Sequence, residues 1–247
     1  MRYILTIMLT AAFPFLLPAQ TAEDLVARNL QAKGGIEKIK AIKTLRRTGK
    51  LLQGGLTVQI ALDAVAPNLM RQAATIQGMT QIQAYDGSTG WQISPFEGRR
   101  DPELLGEDDL RGLVEEADFY GPLIDYKTKD NRIEYLGHDT VDGDDAYRLK
   151  ITLANGDIYY YYLDPDTYLE IRTERVQYIR GSVRESFTNL GSYKQVAGVY
   201  FPFSLEVGNK RNPGEGVQIN FDKIEANLPI PVQEFKMPAS PSAPKEF

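Results

Sequence analysis

Apolar residues in this chain return at every second position over most of its length. Leu56, Val58, Ile60 and Leu62 alternate with Thr57, Gln59 and Ala61. Successive side chains of a strand point to opposite faces, so this spacing describes strands that bury one face. Strand-like runs recur at 69–76, 79–85, 90–94, 132–137, 145–153, 157–163, 168–178, 183–191, 199–207 and 216–224. Tight-turn signals separate them: Asp86-Gly87, Asp142-Gly143, Asn155-Gly156, Asp164-Pro165-Asp166 and Gly198. Many short strands joined by such turns predict a mainly β protein, a meandering antiparallel sheet that is curled or closed.

Three segments depart from the period of two. Thr21 to Ile42 reads as helical, with Thr21 as N-cap, Asp24 three residues on, and Leu25, Val26 and Leu30 as an apolar stripe. Gly34-Gly35 breaks it, leaving a short second piece at Ile36, Ile39 and Ile42. Between the two β halves, Pro102 to Tyr126 places Leu104, Leu105, Leu110, Leu113, Val114 and Phe119 at helical spacing. Its acids come early and Gly121-Pro122 ends it, as helix termini favour. A helical insert there is expected to cover the sheet's hollow side. The Pro-rich stretch from Leu228 predicts an extended edge segment, with 239–247 a disordered tail.

The N-terminus carries one cation, Arg2, then an uncharged run from Tyr3 to Leu17, with small residues Ala19 and Ala22 after it. This is the pattern of a secretory signal peptide, placed at 1–19, ahead of one domain at 20–238, with a plain N-terminal membrane anchor as the alternative reading. The run is too short, and too broken by Pro14 and Pro18, to span a bilayer as a helix. No cysteine is present, so neither a disulfide framework nor a lipid-bearing cysteine is available. The expected location is the periplasm, in unacylated form. Without the leader 27 basic and 33 acidic residues remain, which argues against a nucleic-acid partner.

His138 is the only histidine, just before the acidic turn Asp139, Asp142, Asp144 and Asp145. It could serve as a general base oriented by a carboxylate, but a solvated hairpin turn explains it more simply, and no Gly-x-Ser-x-Gly elbow supports a nucleophile. The acids do not match a calcium loop, and no cluster has metal-ligand spacing. No catalytic residue, metal or cofactor is expected, and the chain reads as a non-enzyme. The aromatics say more. Tyr159 to Tyr162 send two rings to each face of a strand, and Trp91, Phe96, Phe119, Phe187, Phe201, Phe203 and Phe221 lie on or near others. A sheet curled around its inner face must fill that space with side chains or leave a cavity. A cavity lined by such groups suits lipid chains, at about 0.8 kcal/mol per buried methylene.

Four patterns resemble the LolA/LolB-type lipoprotein carrier family and its outer-membrane lipoprotein-sorting relatives. Ala66-Pro67-Asn68-Leu69 precedes Asp86-Gly87-Ser88-Thr89-Gly90-Trp91 and Pro95-Phe96, like the family's Arg-Pro-Asn, Asp-Gly-x-x-x-Trp and Pro-Phe stretch. Leu163-Asp164-Pro165-Asp166-Thr167, Gly198-Val199-Tyr200-Phe201-Pro202-Phe203 and the closing Phe235-x-x-Pro238 follow in the same order. The resemblance implies an incomplete antiparallel β-barrel with an N-terminal helix and a helical lid over a hydrophobic cavity. It further implies a monomeric carrier of lipoprotein acyl chains or another lipid, moving between an inner-membrane transporter and an outer-membrane acceptor without a cofactor. Where the family has an Arg before Pro-Asn-Leu that holds the lid by its carbonyls, this chain has Ala66, and Arg71 is not its equivalent. A non-carrier envelope or stress-sensing protein of the same fold, docking a partner by a sheet edge, is the alternative. The cavity lining expected from these patterns comprises Leu56, Val58, Ile60, Leu62, Met70, Ile76, Trp91, Ile93, Phe96, Leu105, Leu113, Phe119, Leu149, Ile151, Tyr160, Tyr162, Phe187, Phe203 and Ile219.

Overall fold

The structure is a computed structural model and describes residues 20–179 and 181–239. The expected leader, 1–19, and all of the expected tail except Ala239 lie outside the described residues. Helices α1 (Ala22–Ala32) and α2 (Ile36–Ala41) come first. A capping box starts α1: the Asp24 N–H donates to Thr21 Oγ1 at 3.1 Å, and the Thr21 N–H donates to the Asp24 carboxylate at 3.4 Å. The break between the helices needs Gly34, where φ is 126° and a Cβ would stand 2.3 Å from the Gly198 carbonyl oxygen.

The strands follow as β1 (Thr44–Gln53), β2 (Leu56–Val65), β3 (Leu69–Ile76), β4 (Met79–Tyr85), β5 (Gly90–Ser94) and β6 (Arg99–Leu104). Helix α3 (Glu107–Glu116) intervenes. Then come β7 (Arg132–Val141), β8 (Asp144–Thr152), β9 (Ile158–Leu163), β10 (Glu170–Ile179), β11 (Ser182–Gly191), β12 (Lys194–Val196), β13 (Val199–Phe201), β14 (Ser204–Asn209) and β15 (Asn212–Ala226). Thirteen strands form one antiparallel sheet in the order β6-β5-β4-β3-β2-β1-β15-β14-β11-β10-β9-β8-β7, and β12 with β13 makes a separate hairpin. The edges β6 and β7 do not pair, so the barrel is incomplete. Two meanders, β1–β6 and β7–β11, are thereby joined through β14 and β15.

Three expectations need correction. The insert does not turn helical at Pro102: residues 99–104 are the edge strand β6, where a proline costs no ladder bond, and Gly106 marks the start of α3. Leu104 and Val114 accordingly point to solvent. The run 199–207 is two strands, because Pro202, which has no N–H, divides β13 from β14. The C-terminal stretch is not an edge strand. It ends in a 3-10 turn at Val232–Phe235, lying over the sheet with Phe235 fully buried.

The two faces carry different things. The inner face bears α1, which buries Leu25 and Val26 against Leu149, Ile151 and Leu163, and α3, which packs on Met70 and Tyr85. The middle of that face is covered by Ile42, Val199 and the side chains of Phe119 and Phe201. The outer face carries the C-terminal turn, held by Trp91 Nε1 donating to the Phe235 carbonyl at 2.8 Å. Both edges discourage pairing with another chain. Strand β6 holds Pro102 and charged neighbours, and β7 carries a bulge between Tyr135 and His138, with Gly137 at a φ of 98°.

Candidate functional site

The register decides which side chains share a face. Across the first meander one inner row reads Ile224, Arg47, Leu62, Gln72, Gln83 and Gln92, from β15 to β5. The next row toward the hairpin tips holds Phe221, Gly49, Ile60, Ala74 and Gln81. Beyond it lie Ile219, Leu51 and Val58. Strand β1 can follow β15 this closely only because residue 49 is glycine. A Cβ there would meet the Asn220 carbonyl oxygen at 2.1 Å, at the point where the register slips by one residue.

These rows bound a groove with a cavity of about 150 Å³, lined by Leu51, Ile60, Leu62, Ala74 and Ile219 with Gln72, Gln81 and Gln83 on one wall. Gln72 and Gln83 also border a second space of about 200 Å³, whose other side is α3 through Asp108, Asp109, Gly112, Leu113 and Glu116. A larger hollow of about 670 Å³ lies open at the hairpin tips, between Leu52–Thr57 and the start of β15.

Helix α3 closes the groove with two unlike stripes. Leu110, Leu113 and Ala117, spaced three and four apart, sit on Met70, Tyr85 and Leu105 of the first meander. Gly90 makes room for this contact, since a Cβ there would come within 2.5 Å of Leu110 Cδ1. On the opposite stripe Arg111 and Glu115 hold the second meander. Arg111 pairs with the fully buried Asp157 and donates to the Tyr178 carbonyl at 3.2 Å. Glu115 pairs with Arg175 and accepts from Asn155 Nδ2 at 2.8 Å and from the Tyr159 hydroxyl at 3.3 Å. Gln177 completes the set, donating to Asp157 at 3.1 Å. Burial, together with the hydrogen bond shared with Asp157, raises the Glu115 pKa against the pull of Arg175 and Asn155. Burial also raises Glu116, against Arg175 and Arg47, and pushes the Tyr159 phenol well up. The main chain adds one tie, the Phe119 N–H donating to the Pro67 carbonyl at 3.1 Å.

The expected lining residues are thus divided. Ile60, Leu62 and Ile219 line the cavity, with Val58 packed beside it. Leu56 and Ile76 share that face nearer the hairpin tips, where Leu56 is exposed. Met70 and Leu105 form the seat of α3 and Leu113 is the helix's own contact with it, while Phe119 and Phe203 belong to the central cluster. Leu149 and Ile151 are inward too, but α1 fills the space above them. Five residues point the other way. Trp91 and Ile93 border an outer hollow beside the C-terminal turn. Tyr160 and Tyr162 lie under Arg148, whose guanidinium is 4.5 and 5.5 Å from their rings. Phe187 lies over Gly208, with Arg172 at 5.1 Å from its ring. Phe96 is exposed in the short turn Pro95–Glu97. Alternation separates Tyr160 and Tyr162 from Tyr161, and the register, which pairs Leu149 with Tyr161, puts them on the side opposite Leu149. The groups that hold α3 gave no pattern in the sequence, since Arg111, Glu115, Asp157 and Arg175 meet only in the fold.

His138 lies edge-on to Tyr147, ring centres 4.8 Å apart, and no carboxylate among the described residues orients it. Among the described residues no three acidic, histidine or cysteine side chains gather as metal ligands would, and no helix is long and apolar enough to cross a membrane.

No protein-family model matches the sequence, and neither does any curated protein. Solved structures do match. A LolA superfamily protein from Nitrosomonas europaea aligns over 88% of this chain and 98% of its own length, with a TM-score of 0.58 and 13% identity. The chain has a LolA-like fold. A putative outer-membrane lipoprotein-sorting protein domain from Vibrio parahaemolyticus gives the same TM-score and identity over 87% of this chain and 97% of its own. At this identity the LolA-like likeness concerns architecture alone.

Proposed function

We propose that this protein is a non-catalytic, exported carrier that shelters an acyl chain on the inner face of its sheet, under α3. One observation supports this above the rest. The floor beyond the lid is apolar and unfilled, lined by Leu51, Ile60, Leu62, Ala74 and Ile219, whereas the other half of the same face is packed solid by α1. As it stands the cavity of about 150 Å³ is the size that holds a benzene ring. A whole hydrocarbon tail needs more. Lifting α3 joins it to the neighbouring space of about 200 Å³ and uncovers Met70 and Tyr85, reaching the 300–1,000 Å³ range typical of ligand sites. The lipoprotein-sorting description of the Vibrio domain agrees with such a cargo, and the leader at 1–19 with a periplasmic route. Ligand then trades places with the apolar stripe of α3, so differential affinity for the open state sets loading.

Displacement of a fluorescent fatty acid from the purified mature protein tests this. Wild type should bind it, and Ile60→Gln, which puts an amide in the groove floor, should weaken binding about tenfold or more while the protein still unfolds cooperatively. Equal affinity in the two folded proteins would remove the groove as the site.

A further inference from the structure

Arg47 is out of keeping with the floor on which it stands. It projects from β1 on the inner face, with Leu62 and Ile224 as its neighbours on β2 and β15. Its guanidinium lies 5.7 Å from the centre of the Phe221 ring. The side chain is half-buried, and its Nε is shielded from solvent without a hydrogen-bond partner. No ion pair or hydrogen bond to Arg47 is present among the described residues. Arg111 and Arg175 share the unbonded Nε, but their terminal nitrogens are paired with carboxylates at α3, and Arg46, on the outer face, holds Asp63 with two bonds of 2.6 and 2.9 Å. Glu116 of α3 attracts Arg47 through space but forms no bond with it.

An arginine cannot shed its charge, and a charge left without bonds beside apolar side chains costs stability. Packing would be served as well by Met or Leu. The row occupied by Arg47 is also the boundary of the cavity: Leu62, Gln72 and Gln83 of the same row line it, and the apolar rows begin one step further on. We infer that the chain taken up in the groove ends in an anionic head, a carboxylate or phosphate, which receives the free N–H groups of Arg47 while the tail lies over Ile60, Ala74 and Ile219. Gln72 and Gln83 stand on the same row as further amide partners for that head. Glu116 is the counter-charge that the head displaces when α3 lifts. This rests on the carrier reading, and narrows it to amphiphiles with a negative end.

Palmitate, hexadecyl phosphate and hexadecanol share one tail and differ in the head, so their competition for the fluorescent fatty acid separates the two readings. Wild type should prefer palmitate or hexadecyl phosphate over hexadecanol by about tenfold or more, as a hydrogen-bonded charge provides. Whichever anion is preferred identifies the head. Arg47→Met should bring the ratio to about one, while its melting temperature stays level or rises; Arg47→Lys should restore part of the preference. Equal binding of anion and alcohol by wild type would overturn this inference and leave the carrier reading standing. Failure of all three to bind would overturn both. A melting temperature that falls in Arg47→Met with the ratio unchanged would make Arg47 a structural residue and also overturn it.

Discussion

Single side chains in this protein do work that their neighbours in sequence do not announce. Glu170 is almost fully buried beside Lys33, at 2.9 Å, with the Tyr193 hydroxyl donating to its main-chain carbonyl at 2.8 Å. Burial alone would raise its pKa, but the charge and hydrogen bond of Lys33, its own backbone and Asn29 outweigh burial and hold the carboxyl below the ordinary value of 4.5. A depressed carboxylate contributes stability that is present above the unfolded value and lost as pH falls through the folded one. Lys33→Met should therefore destabilise the protein by roughly 1–3 kcal/mol at neutral pH, less than a fully buried pair because Lys33 is partly exposed. Denaturant unfolding at several pH values should show this difference shrinking as pH falls below about 4.5 and on through the lower folded value, where Glu170 takes up its proton. A difference independent of pH would mean that the lysine acts by packing alone.

At the scale of elements, α3 is held in two unlike ways. It grips one meander by apolar contact and the other by ion pairs, so each grip can be loosened separately. Gly90→Val should press on Leu110 and lift the helix from its seat. Hydrogen exchange should then quicken in 107–117 by about tenfold while the thirteen-stranded sheet keeps its protection. The acids of α3 give this element a pH dependence opposite to that of Glu170. Burial raises both Glu115 and Glu116, so the docked helix binds protons more readily than a detached one, and docking weakens as pH rises through the window above 4.5. Exchange of α3 amides, corrected for intrinsic rates, should be slower at pH 5 than at pH 7. Quicker exchange at pH 5 would show that losing the Arg175 pair outweighs the relief of buried charge.

At the scale of the whole molecule, the two faces of the sheet have separate duties. The inner face holds the groove, α3 and α1, and the outer face holds the C-terminal turn against Trp91. Trp91→Phe removes the indole bond to Phe235 while keeping an aromatic ring of somewhat smaller volume. It should cost about 1–2 kcal/mol and make the chain beyond Pro231 more open to proteases. Fatty-acid affinity should not change, because Trp91 and the groove lie on opposite sides of one layer. Altered affinity at unchanged stability would mean that the faces are coupled.

The local rules of the chain alone determined the strands 69–76, 79–85 and 90–94, the capped helix at Thr21, the turns at glycine, and a helix between two β halves. Those features depend on neighbours within a few residues: alternation along a strand, a cap three residues ahead, a glycine free of Cβ clashes. The ordered patterns around Pro67-Asn68, Asp86-Gly87 and Phe201-Pro202 also pointed to the LolA-like architecture found in the fold. Tertiary structure alone decided which side of each strand became the interior, since alternation marks two faces without saying which one is covered. It sent Trp91, Tyr160, Tyr162 and Phe187 outward and left Ile60, Leu62 and Ile219 around open space. It also brought Arg111 to Asp157 and Glu115 to Arg175, and left the Arg47 Nε on the floor without a bonded partner among the described residues. Side chains separated by tens of residues meet only when every register between them is set, and no single strand carries that information.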